Sequence, residues 1–370
     1  MSALPVLSAM LADIEEMVGC ESPSSDRTAV ARSADVVARI GTRRLGGPPD
    51  RIVVDGRTHL RWRFGDGPPR ALLLGHHDTV WPIGSLGAHP YTVDGGVLRG
   101  PGCFDMKAGL AIALHALAGL GVPSGVTLLV TGDEEIGSPS SRELIEAEAV
   151  GCTAALVLEA SAPDGALKTA RKGVAGYRIR ITGRAAHAGL EPERGVNAAI
   201  EVAHQLLAVA GLADAGRGTT VTPTLTCAGV ATNTVPAAGE FAVDVRVRGA
   251  DEMVRVDAAL RALRPVLSGA RVEVVAGPNR PPLPAYASAG LFERAQACAG
   301  RLGLRPLSAA EVGGGSDGNF TAALGVPTLD GLGAVGGGAH ADDEHVLIEA
   351  LPGRTALVAA LVNDVLEARP

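Results

Sequence analysis

VTLLVTGDEEIGSPSSRELIEAEAVGCTAALVLE, residues 126–159, reads as strand, helix, strand. VTLLV (126–130) is a short apolar run that ends in TGDEE. SRELIEAEA (141–149) has helical spacing, and AALVLE (154–159) is a second apolar run closed by a carboxylate. Short continuous apolar runs bounded by turn residues fit strands buried on both faces. Upstream, ALLLG (71–75) is a third such run and ends in HHD, while MKAGLAIALHALAGL (106–120) is a long Ala/Leu helix. The first stretch, about 5–45, is also helical in spacing, in LSAMLADIEEM and again in AVARSADVVARI. Strands separated by helices imply an α/β domain with a mixed, mostly parallel sheet flanked by helices.

Near 173 the texture changes. GYRIRITG alternates apolar and polar with period two, as a half-exposed antiparallel strand does. A helix follows (VNAAIEVAHQLLAVA), then TTVTPTLTCAG, GEFAVDVRVRG, a second helix (VDAALRALRPVL) and ARVEVVAG. That β-α-β-β-α-β order is a ferredoxin-like α+β unit. The proline-rich NRPPLPA (279–285) reads as a return linker. The expected organisation is one domain from 1–173 and 284–370, interrupted by a smaller one at 174–283.

The chain has 370 residues, enough for about two domains. It is 46% hydrophobic and 20% charged, which marks an ordinary globular chain. The net charge of −7 argues against nucleic acid or an anionic membrane as partner, since phosphate surfaces need basic patches. Five well-separated cysteines without a C-x-x-C pair fit reduced thiols. MSALPVLSAMLADIEEM has no basic n-region, so a cytoplasmic location is expected. No apolar run is long enough for a membrane span.

Five segments place metal-type ligands where strands end, which is where ligands gather in open α/β sheets. In GHHDTV, His76 and Asp78 share one side of an extended backbone and His77 points to the other. Asp105 stands in GPGCFDMKAG, Glu134 and Glu135 in TGDEEIGS, Glu159 at the end of AALVLE, and His340 in GGGAHADDEHV. Taken singly, each has a plainer reading. His76 and Asp78 make a buried pair, Asp105 a helix N-cap, and Glu134–Glu135 a solvated helix start. Glu159 is then a surface acid and His340 a loop residue. Taken jointly, the set fits two zinc ions about 3.5 Å apart sharing a carboxylate.

The order and wording of these motifs resemble the di-zinc family of glutamate carboxypeptidase, acetylornithine deacetylase, succinyl-diaminopimelate desuccinylase and aminoacylase. HHDTV, GPGCFDMKAG, TGDEEIGS and LVLEAS resemble its metal motifs, and RKGVAGYRIRITGRAAHAGLEPERGVNAA the start of its lid domain. GGGSDGNFTAALGVPTLDGLGAVGGGAHADDEHV looks most like the glutamate carboxypeptidase branch. The resemblance implies that 1–173 and 284–370 form the catalytic zinc domain and 174–283 a lid and dimerisation domain. It implies that His76, Asp105 and Glu159 hold one zinc, and Asp105, Glu135 and His340 the other, with cobalt or manganese as substitutes. Glu134 becomes the general base, Asp78 the residue that orients His76, and His187 an oxyanion donor, reaching across from a dimer partner. Two departures stand out. Lys107-Ala108-Gly109 replaces the family's Gly-Gly after D-M-K, and His77 fills a usually apolar position, leaving open which histidine binds metal.

The expected reaction is hydrolysis of an amide in a peptidyl or N-acyl amino acid with a free carboxylate, C-terminal glutamate among the candidates. The second reading is an aminoacylase or a deacylase of a biosynthetic intermediate. A binding protein that kept the fold without the reaction is the reading from another class, and the complete ligand set with its base argues against it. Arg246 in FAVDVRVRG is the candidate carboxylate clamp, its alternative being an ion pair with Asp244 on the same strand. Asn233 in ATNTVP and the Gly-rich GGGSDGN, with Gly315 and Ser316, are further candidates for that anion; turn and cap roles are the alternatives. Trp81 lines the acyl side or plugs the core. Only three lysines occur among 33 basic residues: Lys107, Lys168 and Lys172. All lie near the metal motifs, which suggests that a compact ammonium fits there and a planar fork does not.

Overall fold

A computed structural model describes residues 3–368. Two compact units are present: Met1–Ala170 with Leu283–Val312 and Ser316–Pro370, and Arg171–Pro282 with Gly313–Gly315.

In the first unit six strands lie side by side in the order Asp50–Val54, Arg57–Phe64, Val126–Thr131, Ala71–His76, Ala154–Val157 and Thr328–Leu329. The first two pairings are antiparallel and the last three parallel. The hairpin of the first two strands has no counterpart among the expected elements. Its runs mix arginine with apolar residues because Asp50–Val54 is an edge strand, largely open to solvent. The strands Ala71–His76, Val126–Thr131 and Ala154–Val157 are buried along their whole length, as their unbroken apolar runs require. Helix Ala108–Gly119 is buried almost throughout, in contact with the helices Ala3–Val18 and Leu351–Glu367.

The helix seats closely on the sheet. A Cβ on Gly109 would stand 2.1 Å from the Leu158 carbonyl oxygen, so only glycine allows this approach. Ala108 is fully buried and accommodated, so the departure from Gly-Gly falls on the tolerant member of the pair. The N-terminal helical stretch is two helices, Ala3–Val18 and Arg27–Leu45. Pro23 lies between them, and the Asp26 carboxylate accepts the amides of Thr28 and Ala29 at 2.9 and 3.0 Å to start the second. The intervening loop sends Ser22 and Ser24 to the His76–Asp78 segment.

The second unit is a four-stranded antiparallel sheet in the order Thr220–Ala228, Ala238–Val247, Gly173–Thr182, Arg271–Arg280. Helices Ala198–Ala210 and Ala250–Arg261 complete the β-α-β-β-α-β order. Ala175, Tyr177, Ile179 and Ile181 form one buried face of Gly173–Thr182, against helix residues such as Val202 and Val256. The second helix begins at Ala250 rather than 256. Asp251 and Glu252 favour its positive N-terminal end, and Pro265 ends helical conformation soon after Arg261. All five cysteines are free. Among the described residues no helix is long and apolar enough to cross a membrane.

Candidate metal centre

His76 is the last residue of the strand Ala71–His76. Its Nδ1 lies 3.0 Å from the backbone oxygen of Asp78. A carbonyl only accepts, so Nδ1 carries a proton, and in the neutral ring Nε2 keeps its lone pair. That Nε2 faces two carboxylates, Asp105 Oδ1 at 3.2 Å and Glu159 Oε1 at 3.4 Å. The second carboxylate oxygen of Asp105 faces His340 Nε2 at 3.3 Å, and Glu135 Oε2 stands 3.1 Å from the same nitrogen. Two triads result, His76–Asp105–Glu159 and Asp105–Glu135–His340, each with ligand atoms within 4.8 Å of one another. Asp105 belongs to both, offering one oxygen to each.

The electrostatics suit a divalent cation. Burial pushes the Asp105 carboxyl up, but hydrogen bonds from His340 and His76 outweigh it and hold it well below the usual range. Burial opposes a charge on His76, and Asp105, Asp78 and Glu159 overcome this, raising its imidazole well above the ordinary value. The carboxylates of Asp105 and Glu135 hold His340 up at about 10. Burial lifts Glu135 to about 6, with His340 pulling against it. Glu135 Oε1 is buried with no hydrogen-bond partner, which is costly unless something cationic binds it. Imidazole nitrogens and carboxylate oxygens, three to a group with one shared, are a donor set that zinc accepts with a coordination position left open. The residues therefore fit a pair of metal ions.

The plainer single-residue readings hold for the buried His76–Asp78 pair and for His340 as a loop residue, but not for Asp105, Glu134, Glu135 or Glu159. Asp105 caps no helix: it lies in the irregular Cys103–Lys107 segment, and Ala108–Gly119 has no side-chain cap. Glu134 and Glu135 sit on a short 3-10 turn, Glu134–Ile136, and Glu134 is buried rather than solvated. Glu159 is 7% exposed. His340 is a loop residue with φ of 63° and a half-exposed ring. His77 turns away from the cluster: its Nε2 donates to Thr58 O at 3.0 Å. Burial pulls its imidazole down to about 4, so it stays neutral. The ambiguity between the two histidines is thereby resolved in favour of His76 as the residue in the cluster.

Asp78 contacts more than the His76 ring. Its carboxylate also accepts Ser24 Oγ at 2.6 Å and the amides of Glu134 and Glu135 at 3.2 Å each. One buried acid thus fixes the imidazole and the acidic turn together. Asp133, fully buried, holds the far side of that turn through the Ser140 amide and the hydroxyls of Ser140 and Ser141. Asp317 does not cap its helix; it accepts from Thr131 and Ser138. Ser24, Asp133 and Glu344 were not singled out from the sequence. A serine in a loop and one acid among several carry no signal until the fold supplies their partners.

Ser316 is fully buried, donating its hydroxyl to Asp330 at 2.6 Å and its amide to Asn319 Oδ1 at 2.9 Å. Trp81 donates its indole N–H to Glu344 at 2.7 Å. Cys103 is a buried filler whose thiol burial pushes far up. Of the three lysines only Lys107 is buried: its ammonium donates to the Cys20 carbonyl at 3.0 Å, and burial pulls it down to about 8.

In the second unit, the His187 and Asn233 loops lie side by side, with His187 bridged to Thr234 and the Ala188 amide bonded to Asn233 O at 2.9 Å. His187 is exposed, and its Nδ1 accepts the amides of Gly189 and Leu190 at 3.1 Å each. Its proton therefore sits on Nε2 in the neutral ring. Arg246 lies eight residues beyond Ala238 along the strand Ala238–Val247, roughly 26 Å at about 3.3 Å per residue. It grips Asp244 through two hydrogen bonds of 2.9 Å, the ion pair open as its alternative. The carbonyls of Gly314 and Gly315 accept from Arg171 at 3.2 Å.

Residues 72–364 match the peptidase family M20/M25/M40, and the chain belongs to that family. It is 32% identical over 377 residues to carboxypeptidase G2 of Pseudomonas sp. (strain RS-16), covering 96% of this chain and 89% of the relative. It is 30% identical over 193 residues to acetylornithine deacetylase of Pasteurella multocida (strain Pm70), 49% of this chain and 47% of that one. Its fold is similar to that of an M20 family metallo-carboxypeptidase from Sulfolobus solfataricus, with a TM-score of 0.76 at 17% identity over 95% of this chain and 98% of the other. The chain is a hydrolase of amide bonds in a family of metallopeptidases and amidohydrolases.

Proposed function

We propose that the protein is a zinc-dependent, carboxypeptidase-like hydrolase that removes a C-terminal amino acid with a free carboxylate from a peptidyl or N-acyl substrate. C-terminal glutamate is the first side chain to try. One observation carries the reading: Asp105 presents one oxygen to each of two imidazole–carboxylate groups, the arrangement a metal pair needs. Likeness to carboxypeptidase G2 over nearly the whole chain supports it.

In this reading His76, Asp105 and Glu159 hold one ion and Asp105, Glu135 and His340 the other. Bound there, the pair supplies Lewis acidity, polarising the scissile carbonyl and lowering the pKa of the attacking water toward about 7. Glu134 is the general base. Its carboxylate takes a proton from the water whose oxygen attacks the carbonyl carbon, then delivers it to the leaving nitrogen. Asp78 keeps His76 in the tautomer with a free Nε2 and holds the backbone of Glu134 and Glu135. His187 donates its Nε2–H to the oxyanion of the tetrahedral intermediate. Arg246 exchanges Asp244 for the substrate carboxylate, with Asn233 beside His187 as a second polar contact and the Gly315 turn as a weaker candidate.

We also propose that the enzyme is a homodimer through the inserted unit. Strand Thr220–Ala228 is an open sheet edge, and Leu207, Leu225 and Val230 are 77%, 76% and 98% exposed. An unpaired edge beside exposed apolar side chains is what a second copy covers. Five free thiols suit the cytoplasm.

A hydrolysis screen tests the substrate. Zinc-loaded protein is offered C-terminal-glutamate peptides and a panel of N-acyl amino acids. Faster turnover of the former supports the proposal. Preference for acetyl or succinyl amino acids favours the deacylase reading, to which the likeness to acetylornithine deacetylase across 49% of the chain lends weight. Glu134→Gln lowers kcat by about 10²–10⁴-fold on whichever substrate is found; undiminished turnover removes Glu134 as base.

A further inference from the structure

Glu344 lies in the acidic stretch ADDEHV four residues after His340, yet it is 3% exposed. Its carboxylate collects four N–H donors. Oε1 accepts the amides of Phe104 at 2.8 Å and Asp105 at 3.0 Å. Oε2 accepts the Gly102 amide at 2.9 Å and the Trp81 indole at 2.7 Å. Three of these donors belong to the loop that presents Asp105, and the fourth to the segment that follows His76–Asp78.

We propose that Glu344 is a positioning residue that fixes the Asp105 loop against the His340 loop, so that one Asp105 oxygen meets each imidazole. The proposal rests on the reading of Asp105 as the shared metal ligand. An ionised carboxylate has about four acceptor sites and no donor, and here all four are used. No neutral side chain of the same shape replaces it. A glutamine would set its NH2 group against two N–H donors whichever way it turned, and would leave both without an acceptor. The same loop that brings His340 to Asp105 thus also holds the backbone that aims Asp105. Because Asp105 serves both groups, losing this support weakens both metal sites together.

The test is a titration of metal-stripped full-length protein with ZnCl2, with circular dichroism to confirm the fold. Glu344→Gln is expected to weaken both zinc-binding steps by about 10–100-fold, the usual effect of removing a ligand's hydrogen-bond support. Asp13→Asn, which disrupts a buried carboxylate whose side-chain partners are His115, Arg43 and Arg44 rather than this loop, is expected to lose stability and keep its zinc affinity. Should Glu344→Gln fail to fold, Glu344→Asp carries the measurement: it keeps the charge, reaches fewer of the donors, and is expected to show a smaller loss in both steps. A folded Glu344→Gln that binds two zinc ions within twofold of wild type overturns the proposal. So does an equal loss of affinity in Asp13→Asn, which would make the effect one of general destabilisation. Wild-type protein that takes up no zinc overturns the metal reading, and this proposal with it.

Discussion

Asp13 shows how a single buried side chain ties the N-terminal helix to the rest of the first unit. Burial pushes its carboxyl up, but hydrogen bonds from His115, Arg44 and Arg43 outweigh that and hold it well below the usual range. Its folded pKa lies under the unfolded value near 3.9, so its contribution is complete above that pH and fades as pH falls through the folded value. Asp13→Asn should cost about 2 kcal/mol at neutral pH in urea unfolding, with the deficit shrinking below about pH 4. A deficit that does not change with pH would contradict the assignment. At this scale the sequence was legible where function concentrates residue types. His76, Asp105, Glu135, Glu159 and His340 were recognisable as a set because each ends a strand or a Gly-rich turn. Asp13, Ser24 and Glu344 were not, because their roles come from partners far away in sequence: Glu344 meets donors 239 to 242 residues off, besides Trp81.

Among the elements, helix Ala108–Gly119 governs how the Asp105 loop meets Glu159. Gly109 packs on the Leu158 carbonyl, one residue before Glu159. Gly109→Ala forces the helix off the strand and should cost about 1–3 kcal/mol in thermal or urea unfolding, with weaker metal uptake. Ala108→Gly, at the neighbouring position, should leave metal uptake as it is. Equal effects of the two changes would remove Gly109 as the seat of the helix. Buried strands and long helices were readable from their apolar periods. The hairpin Asp50–Phe64 was not, because its arginines satisfy Asp50 and Glu148 and break the apolar pattern. The early start of helix Ala250–Arg261 was missed for a similar reason: its first turn is acidic for electrostatic reasons, not apolar for packing.

For the whole molecule, the strand Ala238–Val247 has a consequence. Ala238 pairs with Thr182, on the strand that leads to the His187 loop, and Arg246 lies roughly 26 Å further along at about 3.3 Å per residue, more than a single amino acid spans. If His187, Asn233 and Arg246 serve one substrate, two chains contribute to each site. His187→Ala and Arg246→Ala should each be nearly inactive alone. Mixed and allowed to exchange subunits, they should recover about a quarter of wild-type activity, because half the dimers then carry one complete site. No recovery despite exchange would place the residues in one chain's site or outside the site. Composition could not reach this scale: it argued against nucleic acid and membrane as partners and left the assembly open.

The central claim is that Asp105 joins two metal sites. Metal content by mass spectrometry, after zinc loading and gel filtration, tests it directly. Wild type should retain two zinc ions per chain, Glu159→Gln and His340→Ala about one each, and Asp105→Asn neither. An Asp105→Asn protein that is folded and still holds two zinc ions would contradict the account.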